Sequence, residues 1–193
     1  METRSQMGSA RRWAYGWRVL LAGFLMVAGP LSGAQSSSRE YDVKAVFLFN
    51  FIQFTEWPTN AFAATNAPIV IGVFGKDPFG SALENTVKGE VINGRGLKVQ
   101  HFNRLDEVKD CHLLFVSSSE ASRSLQIVEA LRGKPILTVG ETDGFVISGG
   151  CVRFVTENNK IRLRINLESV KRANLTISAK LLRLAEIVAP EKD

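Results

Sequence analysis

Cysteine and histidine are scarce in this chain, with two of each in 193 residues. Two thiols cannot build a dense disulfide scaffold or a four-thiolate zinc site. Long apolar runs are scarce as well: residues 19–28 (VLLAGFLMVA) make a run about ten residues long, where a spanning helix needs roughly twenty. The short catalytic signatures are missing altogether. There is no GxGxxG, GxxxxGK[ST] or GxSxG, and no CxxC, HExxH or EF-hand loop. These absences leave no nucleotide cradle, nucleophile elbow, metal or cofactor motif to build on. The remaining composition, 45% hydrophobic, is that of an ordinary globular protein and excludes a disordered, collagen-like or polytopic membrane chain.

The first 34 residues read as an export signal. Arg4, Arg11, Arg12 and Arg18 supply a positive flank, residues 19–28 the apolar run, and Ser32-Gly33-Ala34 a small-residue exit. Trp13 to Trp17 extend the apolar character, so an uncleaved anchor is the alternative. The residues after Arg11-Arg12 do not build a twin-arginine signal, which leaves ordinary export to the periplasm. The full chain carries 24 Lys+Arg against 19 Asp+Glu; without residues 1–34 the count is 20 against 18, a net charge of +2. A surface that close to neutral has little counterion-release drive toward nucleic acid, which is excluded as a partner. Export also opens an oxidising compartment to Cys111 and Cys151.

Residues 35–193 read as one α/β domain, without repeats, linkers or low-complexity tracts. A helix is predicted over 41–56 and stops before Trp57-Pro58. Continuous apolar runs at 69–74 and 112–116, and a shorter one at 135–139, predict strands covered on both faces, with an alternating strand at 97–102. Helices are predicted over 77–88, 121–131, 167–174 and 177–188, with a short helical connection over 105–109. The last helix should bury Leu181, Leu184, Ala185 and Val188. The βαβ order implies a mostly parallel sheet with right-handed crossovers and helices on both faces. Segments 151–155 and 161–165, joined around Asn158-Asn159, predict a late antiparallel hairpin followed by helices.

Candidate sites are few. The helix over 41–56 carries apolar residues around more than one face, wider than the usual stripe of roughly 100°. Part of Phe47, Phe49, Phe51 and Phe54 is therefore expected at a protein interface. Gly75, Ser117 and Gly140 follow the three strongest parallel strands, where open α/β sheets bind ligands, and could rim a small-molecule crevice. The bland reading, which is preferred, is that they are the ordinary turns and caps such a fold requires there. His101, Cys111 and His112 are the one cluster of metal-type ligands, but neighbours in a strand point to opposite faces. Arg162, Arg164, Lys171 and Arg172 form a basic group that reads as a solvated face.

Several segments together resemble the YfiR-like family of exported bacterial proteins. They are Lys44-Ala45-Val46-Phe47-Leu48-Phe49-Asn50-Phe51 running into Phe54-Thr55-Glu56-Trp57-Pro58, Ile71-Gly72-Val73-Phe74-Gly75 with Pro78-Phe79-Gly80, and Cys111-His112-Leu113-Leu114-Phe115-Val116. Leu137-Thr138-Val139-Gly140 with Gly144-Phe145, Gly149-Gly150 and Arg153-Phe154 continue the series, which Ile165-Asn166-Leu167-Glu168 and residues 175–185 close. The resemblance covers roughly residues 40–188.

It implies a non-catalytic periplasmic regulator without a cofactor. Such a protein is a homodimer that represses an inner-membrane diguanylate cyclase or similar sensor, and so limits cyclic di-GMP and biofilm. An outer-membrane lipoprotein is implied as a possible second partner. The competing reading is a periplasmic small-molecule-binding module of a signalling or transport system. The family's named member resembles a two-disulfide molecule, and Cys111 and Cys151 match one cysteine of each pair. The mates are absent, so redox regulation does not carry over by resemblance. Both cysteines are expected to be unpaired, Cys111 buried and inert, Cys151 the more reactive.

Overall fold

The computed structural model describes residues 32–188; of the expected export signal, residues 1–31 lie outside them. Contacts divide the chain after Ser32, and the fold below is that of the unit from Gly33 onward. Its elements run α1 (Ser32–Gln53), β1 (Thr55–Glu56), β2 (Ile69–Phe74), α2 (Ala82–Val87), β3 (Val91–Ile92), β4 (Arg95–Phe102) and β5 (Leu113–Val116). They continue with α3 (Ser124–Leu131), β6 (Leu137–Gly140), β7 (Val152–Glu157), β8 (Lys160–Ile165), α4 (Leu167–Arg172), β9 (Thr176–Ile177), α5 (Ala179–Leu182) and β10 (Ala185–Ile187).

Eight strands form one sheet in the order β10-β8-β7-β6-β5-β2-β4-β3. The block from β4 to β7 is parallel throughout, as the continuous apolar runs imply. β7 and β8 form the expected antiparallel hairpin. Glu157 pairs with Lys160, leaving Asn158 and Asn159 as a two-residue turn at φ 51° and 58°, the left-handed region that asparagine tolerates.

Alternation along the strands creates two cores. Ile69, Ile71, Val73, Leu113, Phe115, Leu137 and Val139 face a layer that includes α1, α2, α4 and α5. Phe74, Leu114 and Val116 face the other way, against Ile127, Val128 and Leu131 of α3. Gly72 sits where that second layer closes down. A Cβ there would stand 2.6 Å from Leu114 Cδ1 and 2.9 Å from Cys111 Sγ, so no side chain fits.

Three expectations need correction. The first helix ends at Gln53, because Thr55 and Glu56 pair antiparallel with Ile177 and Thr176, and the Ser178 N–H donates to the Phe54 carbonyl at 2.9 Å. The helix expected over 177–188 is one turn, α5, followed by β10. There Ala185, Glu186 and Ile187 pair with Leu163, Arg164 and Ile165, satisfying an edge of β8 that would otherwise be bare. Leu181 is buried as expected, but Leu184 is 68% exposed. Finally, α2 starts at Ala82 rather than Asp77, since the Asp77 carboxylate accepts the Phe79 N–H at 2.8 Å and holds residues 77–79 in a turn.

Candidate functional site

In the parallel block β2 comes first in the chain, with β4 on one side of it and β5 on the other. The chain crosses from β2 to β4 on one side and then returns past β2 to β5 on the other, and the sheet opens into a crevice beyond the carboxyl ends of β2 and β5. A cleft of about 640 Å³ lies there, between residues 76–80, Ser117 to Ser119, and Ser38 and Tyr41 of α1. Ser117 lines it, whereas Gly75 lies just before its Lys76 and is not part of the lining. Gly75 adopts φ 88°, and a Cβ on it would meet Ser119 and Glu120 side-chain atoms at 2.6 Å. Ser117 is buried, and its hydroxyl accepts the Ser119 N–H at 3.4 Å. The Ser119 hydroxyl in turn accepts the Lys76 N–H at 3.0 Å, tying the two loops together. Gly140 is not in the lining. It ends β6 beneath Phe145, whose ring would lie 2.6 Å from any Cβ there, so its smallness serves packing.

Beside the cleft is a polar centre that no motif announced. Lys44 is 3% exposed, and its ammonium lies 2.6 Å from both Glu141 Oε2 and Glu40 Oε1. It also stands 4.5 Å from the centre of the Tyr41 ring. The Tyr41 hydroxyl donates to Glu141 at 3.2 Å, and so does the backbone N–H of Ser118. Glu141 therefore fastens α1 and the loop after β5 to the end of β6. Burial, and then the Glu141 charge, push the Tyr41 phenol well above its ordinary value. Burial alone would raise the Glu40 carboxyl, but hydrogen bonds from Lys44 and Thr156 hold it below the usual range. The Glu40–Lys44 spacing of four was the one available sequence signal.

The four α1 phenylalanines divide. Phe51 has no exposed surface and stacks on Phe154, ring centres 5.7 Å apart and 22° from parallel. It is core, and its expected interface role is withdrawn. Phe47, Phe49 and Phe54 are half-buried against the same core. The side chains that α1 does expose are smaller: Val43 at 46% and Val46 at 49%. Both belong to the wide apolar arc of the helix, and β-branched aliphatics carry no mark in the sequence of which face lacks a neighbour.

Both cysteines are free and buried. The Cys111 thiol donates to the Leu113 carbonyl at 3.1 Å, and burial pushes its pKa up to about 12. Cys151 is 3% exposed, and burial raises its thiol too, so nothing in its surroundings marks it as the more reactive of the two. The two belong to different cores, Cys111 with Phe102 and Leu114, Cys151 with Val152 and Leu163. His101, Cys111 and His112 do not converge. His101 meets Asp77 at the rim of the sheet, and among the described residues no group of three or more His, Cys, Asp or Glu could hold a metal. The basic group is dispersed, with Arg164 paired to Glu186, Lys171 to Glu168, and Arg162 and Arg172 exposed.

His112 anchors the opposite end of the sheet. It is 2% exposed, and its Nδ1 accepts the Val70 N–H at 3.1 Å. Phe62 stacks on the imidazole at 4.5 Å, and the Arg95 guanidinium covers Phe62 at 3.8 Å. Trp57 donates its indole N–H to the His112 carbonyl at 3.1 Å. Burial lowers the imidazole pKa and keeps the ring neutral. Nε2 faces the Ala61 backbone without a hydrogen bond of normal geometry.

Comparison with known proteins gives the family. A family model described as YfiR/HmsC-like matches residues 41–186, and the chain belongs to that family. A solved structure, the ABC domain in complex with L-Trp from Streptococcus pneumonia, is similar at 12% identity with a TM-score of 0.46. The alignment covers 62% of this chain and 55% of that one, so this chain spans little more than half of its length. That likeness is too distant to carry an argument.

Proposed function

We propose that this protein is a non-catalytic periplasmic regulator that binds an inner-membrane diguanylate cyclase, or a similar membrane sensor, and holds it inactive. The observation that carries this reading is the family match, which runs from Tyr41 in α1 to Glu186 in β10 and so spans nearly all of the described fold. α1 supports it. This helix is fixed to the sheet by Lys44 and Glu141, yet turns Val43 and Val46 to solvent, so it offers a rigid apolar surface to a second protein. The physical mechanism is differential affinity. The regulator prefers the inactive state of its partner, because equal affinity for both states would shift nothing. Homodimer formation and capture by an outer-membrane lipoprotein would then compete for, or add to, the same control.

The test is co-expression with membrane diguanylate cyclases that carry a periplasmic sensor region, with intracellular cyclic di-GMP as the readout. The expected result is lower cyclic di-GMP with the wild-type chain and relief of that repression by Val46→Glu. Unchanged cyclic di-GMP, with the chain exported and folded, would overturn the proposal.

A further inference from the structure

We infer that the cleft beyond β2 and β5 is a binding site for a small oxyanion, a phosphate or carboxylate group carried by a small molecule. The inference stands on the cleft alone and does not depend on the regulatory reading. Its volume of about 640 Å³ falls inside the range of small-molecule sites, and its position is the switch point of the parallel block.

The chemistry follows from which lining groups are already engaged. Among the described residues Asp77 supplies the one carboxylate of the lining, and it is committed: one oxygen accepts the Phe79 N–H at 2.8 Å and the other lies 3.2 Å from His101 Nε2. The carboxylates behind the walls are held as well, Glu120 by Arg123, and Glu141 by Lys44, Tyr41 and the Ser118 N–H. Lys76 takes part in none of these ion pairs. It lines the cleft with the hydroxyl-bearing residues Ser38, Ser118 and Ser119. Among the described residues the Lys76 ammonium takes part in no ion pair, whereas Ser119 Oγ already accepts the Lys76 N–H and donates to Glu120 at 3.4 Å, so what the cleft presents to an entering group is chiefly that ammonium, with the Ser38 hydroxyl also in the lining. Oxyanions are the ligands that answer such a set. The Tyr41 and Phe79 rings, edge to face at 5.5 Å, add an apolar wall for the remainder of the molecule.

The experiment is a ¹H–¹⁵N titration of the purified protein with sodium phosphate and, separately, sodium succinate, at ionic strength held constant with sodium chloride. Saturable shifts confined to the amides of 75–80 and 117–119 are expected, with millimolar affinity for the bare anion. Lys76→Gln, at an exposed position that leaves the fold intact, should weaken binding about tenfold. The preferred anion tells a phosphate ligand from a carboxylate ligand. No saturable shift with either anion up to roughly 50 mM, or equal binding by Lys76→Gln, would overturn the inference.

Discussion

The ammonium of Lys44 lies 2.6 Å from Glu141 Oε2, and the two side chains are only 4% and 8% exposed. A residue on the first helix and one just past the fourth parallel strand thus form a nearly closed ion pair, 97 positions apart in the chain. Removing one partner leaves the other charge stranded in a low-dielectric site. Glu141→Ala should therefore lower stability by about 3–5 kcal/mol, somewhat less because Glu40 remains beside Lys44. The double variant Lys44→Met/Glu141→Leu, which leaves without its ammonium only the Glu40 carboxylate, 30% exposed and still bonded by Thr156, should recover part of the loss. Urea unfolding midpoints of the three proteins check both statements.

His112 should make stability depend on pH. Its folded pKa is depressed from 6.5, chiefly by burial. The unfolded chain therefore takes up this proton at a higher pH than the folded one does. The resulting stabilisation is fully present above 6.5 and is lost as pH falls through the depressed folded value. Glu40, also depressed, acts with the same sign in a lower window, beneath 4.5. Wild type should unfold at lower urea at pH 5 than at pH 8. His112→Gln should be less stable at both and show a flatter dependence; an unchanged slope would assign the effect elsewhere.

Two apolar positions of α1 should behave in opposite ways. Phe51→Ala opens a cavity against Phe154 and should cost about 3–5 kcal/mol, read as a shift of the thermal midpoint. Val46→Glu places a charge on a half-exposed position and should leave that midpoint within about 0.5 kcal/mol of wild type. If α1 is a partner surface, the same variant should weaken association by tenfold or more, measured by light scattering or partner binding.

Both thiols should react slowly. With Cys111 pushed up to about 12 and both side chains closed to solvent, titration with a thiol reagent should show no fast phase in the folded protein. Two equivalents should appear once denaturant is added. One fast equivalent would mean that the core around Cys151 opens readily, and no thiol even when unfolded would mean a disulfide.

Local pattern determined much of this protein. Apolar runs at 69–74 and 112–116 became central strands because a strand buried on both faces needs no polar alternation, and Asn158-Asn159 became a hairpin turn because few other residues accept its backbone angles. The glycine and serine positions after β2 and β5 were legible for the same reason, since strand ends at a crossover require turns and caps. Tertiary structure alone decided the rest. Residues 185–187 carry a helical period and became a strand, because an open edge of β8 offered hydrogen bonds that one more helical turn could not replace. Phe51 and Val46 share the apolar character of α1, yet one is core and one is surface, since only the position of Phe154 and its neighbours selects the buried face. Glu141 reads as an ordinary acidic residue after a strand. It became the centre of a buried network because the chain brings Lys44, Tyr41 and the Ser118 amide to it from distant segments, a convergence that local spacing does not encode.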